Sequence, residues 1–202
     1  MCYASNSAPA SALAGFVFAA GLGLFSTALA AQNPPASATP APPAAPAAAQ
    51  PSAPEADVLR SYNNLKGNIL KAADKMPADD YAYRPTPDIR TYGRVVNHVT
   101  EAQFLFCSVL NGDDPAAARA KVPAETAPKA DIVAALQASF AACDKAYAAL
   151  SSANLLEHVS LGPASRARIS LAWQNVAHDD EQYATLALYL RLKGIAPPSS
   201  EK

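Results

Sequence analysis

The chain has 202 residues, of which 50% are hydrophobic and 16% charged, and its net charge is −1. That length suits one or two domains, and a near-neutral balance excludes non-specific nucleic-acid binding, which needs a basic face to displace counterions from phosphates. No Asp, Glu, Lys or Arg precedes Glu55, so every ionised side chain falls in the later part of the chain.

Residues 12–25 read ALAGFVFAAGLGLF, an apolar run too short to span a bilayer comfortably. The small-x-small pattern Ala28-Leu29-Ala30 follows it. Together they read as a secretory signal peptide over residues 1–31, although no Lys or Arg supports it between Met1 and Ser11. Cleavage leaves a mature form with no stable membrane span, periplasmic or extracellular; an uncleaved signal leaves the protein tethered. Residues 32–56 are almost wholly Pro, Ala and Ser, which neither continue a helix nor offer a large apolar side chain to bury. They form a disordered spacer without chemistry of its own.

Residues 57–199 carry four helical patterns. From Asp57 to Met76 the apolar stripe is Val58, Tyr62, Leu65, Ile69, Ala72 and Met76, stepping by four and three. Pro77 stops it, and a proline-rich loop closes at Gly93. The second helix presents Val95, Val99, Ala102, Phe106 and Val109 and ends at Asn111-Gly112. Residues 113–128 read as loop, with Thr126 placed to cap the third helix, Lys129 to Ser151, whose face is Ile132, Leu136, Phe140, Cys143 and Tyr147. The last helix, Ser165 to Lys193, closes on basic residues, Gly194 and Pro197-Pro198. No stretch alternates as a strand does. The fold class is therefore all-α, a four-helix bundle.

In a bundle, chemistry is built where apolar faces turn polar. His98 lies at the edge of the second stripe with Glu101 three residues on, and the last helix runs Leu171, Asn175, His178, Gln182, Leu186, Tyr189 along one face. His178 and Gln182, at i and i+4, project together, while most of Asp179, Asp180 and Glu181 are expected to point outward. Two readings follow from spacing: a metal site, or a hydrogen-bonded polar network inside the bundle. His158 reads as a solvated loop residue. Cys107 and Cys143 are either a disulfide or two buried free thiols, since spacing alone does not give their separation.

Three segments, YAYRPTPDIRTYGRVVNHVTEAQFLFC (Tyr81 to Cys107), LQASFAACDKAYAAL (Leu136 to Leu150) and WQNVAHDDEQYATLALYLRLKGIAPPSS (Trp173 to Ser200), resemble the DinB superfamily of bacterial helical-bundle proteins. The resemblance implies a DinB-like four-helix bundle with a divalent transition metal (zinc, nickel or iron) held by three histidines, one from the second helix and two from the last in an H-x-x-x-H pattern. His98 and His178 match the first two positions, and Gln182 stands at the third. An amide oxygen is a poorer ligand than imidazole for such metals, so Gln182 fits better as a group orienting His178 or a water, with Glu101 as a substitute ligand. The implied activity is that of a metal-dependent hydrolase or transferase acting on an unidentified small molecule. Export favours hydrolysis, because water is present everywhere and the cytosolic thiol pool is not. The alternative is a metal-free, non-catalytic binding or interaction module with a degenerate His-His-Gln site, and self-association is compatible with either.

Overall fold

A computed structural model describes residues 53–201. The expected signal peptide and most of the spacer lie outside the described residues. Four long helices carry the fold: α1 (Pro54–Lys75), α2 (Tyr92–Asn111), α4 (Lys129–Ala148) and α5 (Arg168–Leu192), with a short α3 (Pro115–Arg119) between the second and third. Helix α1 begins inside the stretch expected to be spacer up to Ala56. Pro54 at its first turn explains the early start: proline lacks the N–H that a helix leaves unpaired there, and its ring presets φ.

Both α1 and α2 pack against α4 and α5, so the consecutive helices α1 and α2 stand across the bundle from each other. The loop between them, with a 3-10 turn at Ala78–Asp80, makes that crossing. It is pinned by Gly93, where an added Cβ would meet the carbonyl oxygens of Tyr81 and Glu125 at 3.3 and 3.4 Å. Thr91 Oγ1 caps α2 by accepting from the Arg94 amide at 3.1 Å, and Gly112, with φ of 76°, closes it in the left-handed conformation.

The stripes read from the sequence meet in one core. Val58, Ile69, Val99, Ile132, Leu136, Leu171 and Leu186 are buried. Burial of large aliphatic side chains, at about 25 cal/mol per Å² removed from water, drives the assembly. Buried tyrosines then lock helix to helix by donating to backbone carbonyls: Tyr62 to Phe140 O at 3.0 Å, Tyr92 to Ala72 O at 2.7 Å and Tyr147 to Ala172 O at 2.8 Å. Each hydroxyl reaches a neighbouring element, so a rotation of either helix about its axis would strand a buried donor. Burial pushes the Tyr92 and Tyr147 phenols well above their usual range, which keeps them neutral donors.

The structure departs from the sequence reading in three places. Residues 158–167 form an antiparallel hairpin, β1 (His158–Leu161) with β2 (Ala164–Ala167), pairing His158 with Ala167 and Leu161 with Ala164. Gly162, at φ 59°, begins the two-residue turn. Four-residue strands in which only Val159 and Leu161 reach the core are too short to show an alternating period. Consequently α5 starts at Arg168 rather than Ser165, and His158, expected in a loop, is an exposed strand residue bonded to Ser165 Oγ at 2.9 Å. Second, the loop over residues 113–128 contains α3, capped by the Asp114 carboxylate. Third, α4 ends at Ala148 rather than Ser151, and its N-cap is Pro128 with no side-chain bond, so Thr126 does not cap it.

The sulfur atoms of Cys107 on α2 and Cys143 on α4 stand at bonding distance, with Cα atoms 4.9 Å apart, inside the range a disulfide requires. Among the described residues no helix is long and apolar enough to cross a membrane.

Candidate functional site

His98 comes from α2 and His178 from α5, two helices in direct contact. Their Nε2 atoms face each other at 3.2 Å, with the rings crossed at 69°. Both side chains are partly open, 28% exposed for His98 and 19% for His178, so a small molecule or ion can reach the pair. They sit in the wall of a cavity of about 240 Å³ that Glu101, Ala102, Leu105, Phe106 and Arg119 complete.

The far side of each ring is also specified. His98 Nδ1 faces Glu101 Oε2 at 3.7 Å, and His178 Nδ1 faces Asp179 Oδ1 at 3.8 Å. These are ion-pair separations rather than hydrogen bonds. Neither His178 Nδ1 nor Asp179 Oδ1 has another partner, and both are buried, so a small ring rotation would join them. Glu101 is held in turn by Arg94, whose two terminal nitrogens each lie 3.1 Å from a carboxylate oxygen. Bidentate pairing of this kind fixes both position and orientation. Burial, reinforced by the charges of Arg90 and the neighbouring His178, lowers the His98 pKa and keeps its ring neutral at pH 7.

Behind the histidines lies a network enclosed in the core. Asp179 has no solvent exposure. Gln103 Nε2 donates to Asp179 Oδ2 at 2.6 Å, and Asn175 Nδ2 lies 3.2 Å from both Gln103 Oε1 and the Tyr147 hydroxyl. Gln103 Oε1 also rests against the sulfurs of Cys107 and Cys143.

The DinB superfamily profile matches residues 62–186, which takes in most of α1, all of α2, α3 and α4, and most of α5. The chain belongs to the DinB superfamily. Among solved structures it is similar to a DinB-like protein from Bacillus cereus ATCC 10987, at 14% identity and a TM-score of 0.58, over 70% of this chain and 93% of that one. It is also similar to a DinB-like protein, YjoA, from Bacillus subtilis, at 16% identity and a TM-score of 0.56, over 68% of this chain and 92% of that one. Identities this low carry the fold alone. No curated protein matches.

Within this DinB-like bundle the residues singled out from sequence are only partly brought together. His98, His178 and Glu101 converge on one cavity. Gln182 is buried on the same face of α5 but does not line that cavity. Among the described residues no three His, Cys, Asp or Glu side chains group as a metal cluster. The two imidazoles nevertheless fit a shared ion: nitrogens about 2.0–2.1 Å from one metal, at tetrahedral to octahedral angles, stand roughly 2.9–3.4 Å apart, and the observed 3.2 Å lies within that span.

Most of the acidic turn points outward as expected, and Asp179 is its inward member. Asp180 and Glu181 are exposed, but Asp179 follows Asn175 by four residues and turns inward with it. That spacing was the available signal. Gln103, four residues after Val99 and four before Cys107, carried a similar one on α2.

Burial raises the Asp179 pKa to about 6, against an opposing pull from His178 and Gln103. The folded state then holds the proton more tightly than the unfolded chain, so the stability contributed by Asp179 is full below about pH 4. It is lost as pH rises through about 6. Replacing Asp179 by Asn keeps an acceptor for Gln103 and removes the ionisation. The metal-free Asp179→Asn variant is therefore expected to be more stable than wild type above pH 6.5, by roughly 1–3 kcal/mol, and to lose most of the stability slope between pH 4 and 6. Chemical denaturation across that range measures both.

Proposed function

We propose that this protein is an exported, divalent-metal-dependent hydrolase of the DinB superfamily, with His98 and His178 as the metal-binding side chains. The observation that carries the reading is the convergence of the two Nε2 atoms at 3.2 Å while each Nδ1 is turned toward a carboxylate. Metal-ligating histidines are ordinarily oriented by a carboxylate or carbonyl on the opposite ring nitrogen, which raises their basicity. Zinc, nickel or iron suits imidazole donors. Bound there, such an ion would supply Lewis acidity toward a substrate oxygen and toward water.

The remaining roles fall to the chain itself. Glu101, fixed by Arg94, stands beside His98 where it can hold a proton on Nδ1 or accept one from a water in the cavity. Ala102, Leu105 and Phe106 form an apolar wall that strengthens electrostatic interactions at the pair. With only two imidazoles the ion would be held less tightly than by the usual three protein ligands. Gln182 offers an amide oxygen where imidazole would bind such an ion more strongly, and its role is to orient its neighbours.

Export rests on the apolar run and cleavage pattern of residues 12–30 and on the adjacent sulfurs of Cys107 and Cys143. A bridge between these cysteines is expected in an oxidising compartment and unusual in the cytosol. That compartment disfavours transfer to a cytosolic thiol and leaves hydrolysis. A second reading, a metal-free binding module, is favoured by one feature: a neutral His98 donating through Nε2 to His178 joins the two rings without an ion.

Two measurements test these proposals. Elemental analysis of the protein purified with each metal is expected to find up to one ion per chain, lost in His98→Ala and bound more tightly in Gln182→His. Wild type empty under every metal, with binding appearing only in Gln182→His, would establish the metal-free reading. For the bridge, a thiol count on denatured, unreduced protein without its signal peptide is expected to give none. Reduction is expected to cost about 3–4 kcal/mol of stability, given a separation of 36 residues between the cysteines.

A further inference from the structure

The wall of the cavity that holds the histidine pair also carries Arg119, the last residue of α3. Arg119 is exposed, and its guanidinium forms no hydrogen bond or ion pair among the described residues. The single carboxylate in the cavity wall, Glu101, already has its charge matched by the bidentate Arg94. Arg90 adds a further positive charge felt at His98. On the cavity wall itself, the charge left without a partner is that of Arg119. Leu105 and Phe106 add apolar surface to the same wall.

A volume of about 240 Å³ lies below the roughly 300–1,000 Å³ of pockets that enclose drug-sized ligands. The part of an occupant held inside the cavity is therefore small. A guanidinium with all its donors free pairs planar anions in a two-pronged geometry. One such cation beside an already neutralised Glu101 suits a single negative charge better than a dianion. An apolar wall suits a short hydrocarbon body.

We propose that the cavity binds a small organic carboxylate, its anionic group on Arg119, its apolar body along Leu105 and Phe106, and its opposite polar end at the His98–His178 pair. This rests on the reading of that pair as the reacting centre and names the substrate class it acts on. For a hydrolase, the bond cleaved then lies one short carbon chain away from a carboxylate, and water supplies the hydroxyl to one fragment and the proton to the other. Arg119 is a specificity-determining residue in this scheme and takes no part in the bond cleavage.

The test titrates hexanoate, and separately its neutral isostere hexanamide, into the purified metal-free protein, following Leu105 methyl and His98 ring signals by NMR. Hexanoate is expected to saturate both signals at about tenfold lower concentration than hexanamide, the factor of one charge-assisted contact. Arg119→Gln, a change at an exposed position that leaves the core intact, is expected to abolish that difference without weakening hexanamide. Equal saturation by acid and amide in wild type, an acid preference that survives Arg119→Gln, or no response to either ligand would each overturn the proposal. Because the titration needs no metal, its result is independent of the elemental analysis. A metal-free protein that still prefers hexanoate keeps this proposal and loses the hydrolase, and the converse result does the opposite.

Discussion

A carboxylate with no solvent exposure, in the middle of a helical bundle, is the constraint around which the site is arranged. Leaving Asp179 ionised and unpaired in such surroundings would cost several kcal/mol. The chain answers with an amide from Gln103 on one oxygen and the imidazole of His178 beside the other. Gln103 is steadied by Asn175, which also touches the Tyr147 hydroxyl, and Tyr147 is anchored to the carbonyl of Ala172. The result is a polar chain that links α4, α5 and α2 inside a mostly apolar core. It turns His178 so that Nδ1 looks inward and Nε2 looks out toward His98.

The same constraint connects the site to the rest of the fold. Gln103, which holds Asp179, lies against the adjacent sulfurs of Cys107 and Cys143, where α2 meets α4. A covalent link there would limit how far those two helices separate and so how far Gln103 moves. On the opposite side of the rings, Arg94 holds Glu101 by two contacts. The imidazoles are thus braced by an inner carboxylate on α5 and an outer one on α2, while the cavity keeps their facing nitrogens accessible.

Much of this was legible in the sequence, for a physical reason. Long amphipathic helices repeat their pattern over roughly four to five turns, so Val58 to Met76 or Ile132 to Tyr147 declare their faces unambiguously. His98 and His178 stood out because a polar residue on an apolar stripe must be satisfied somehow. The hairpin around Gly162 did not, since strands of four residues with two inward side chains carry too little period. Nor did Asp179, hidden in a run of three acidic residues whose other members, Asp180 and Glu181, do face water. Which member of such a run turns inward depends on the exact phase of the helix, and that phase is set by tertiary packing. Arg119 was similarly concealed, because only the fold of a nonperiodic loop brings it to the histidines.

The inward carboxylate makes a specific demand on the ring next to it. If Asp179 sets the orientation of His178, that imidazole must carry its proton on Nδ1 and present a bare Nε2 to the cavity. The nitrogen-15 chemical shifts of the His178 ring, recorded on metal-free protein at pH 7.5, read this directly. The account predicts a protonated Nδ1 and an unprotonated Nε2. A proton on Nε2 with a bare Nδ1 would contradict it, because the buried carboxylate would then face a lone pair and could not be what positions the site.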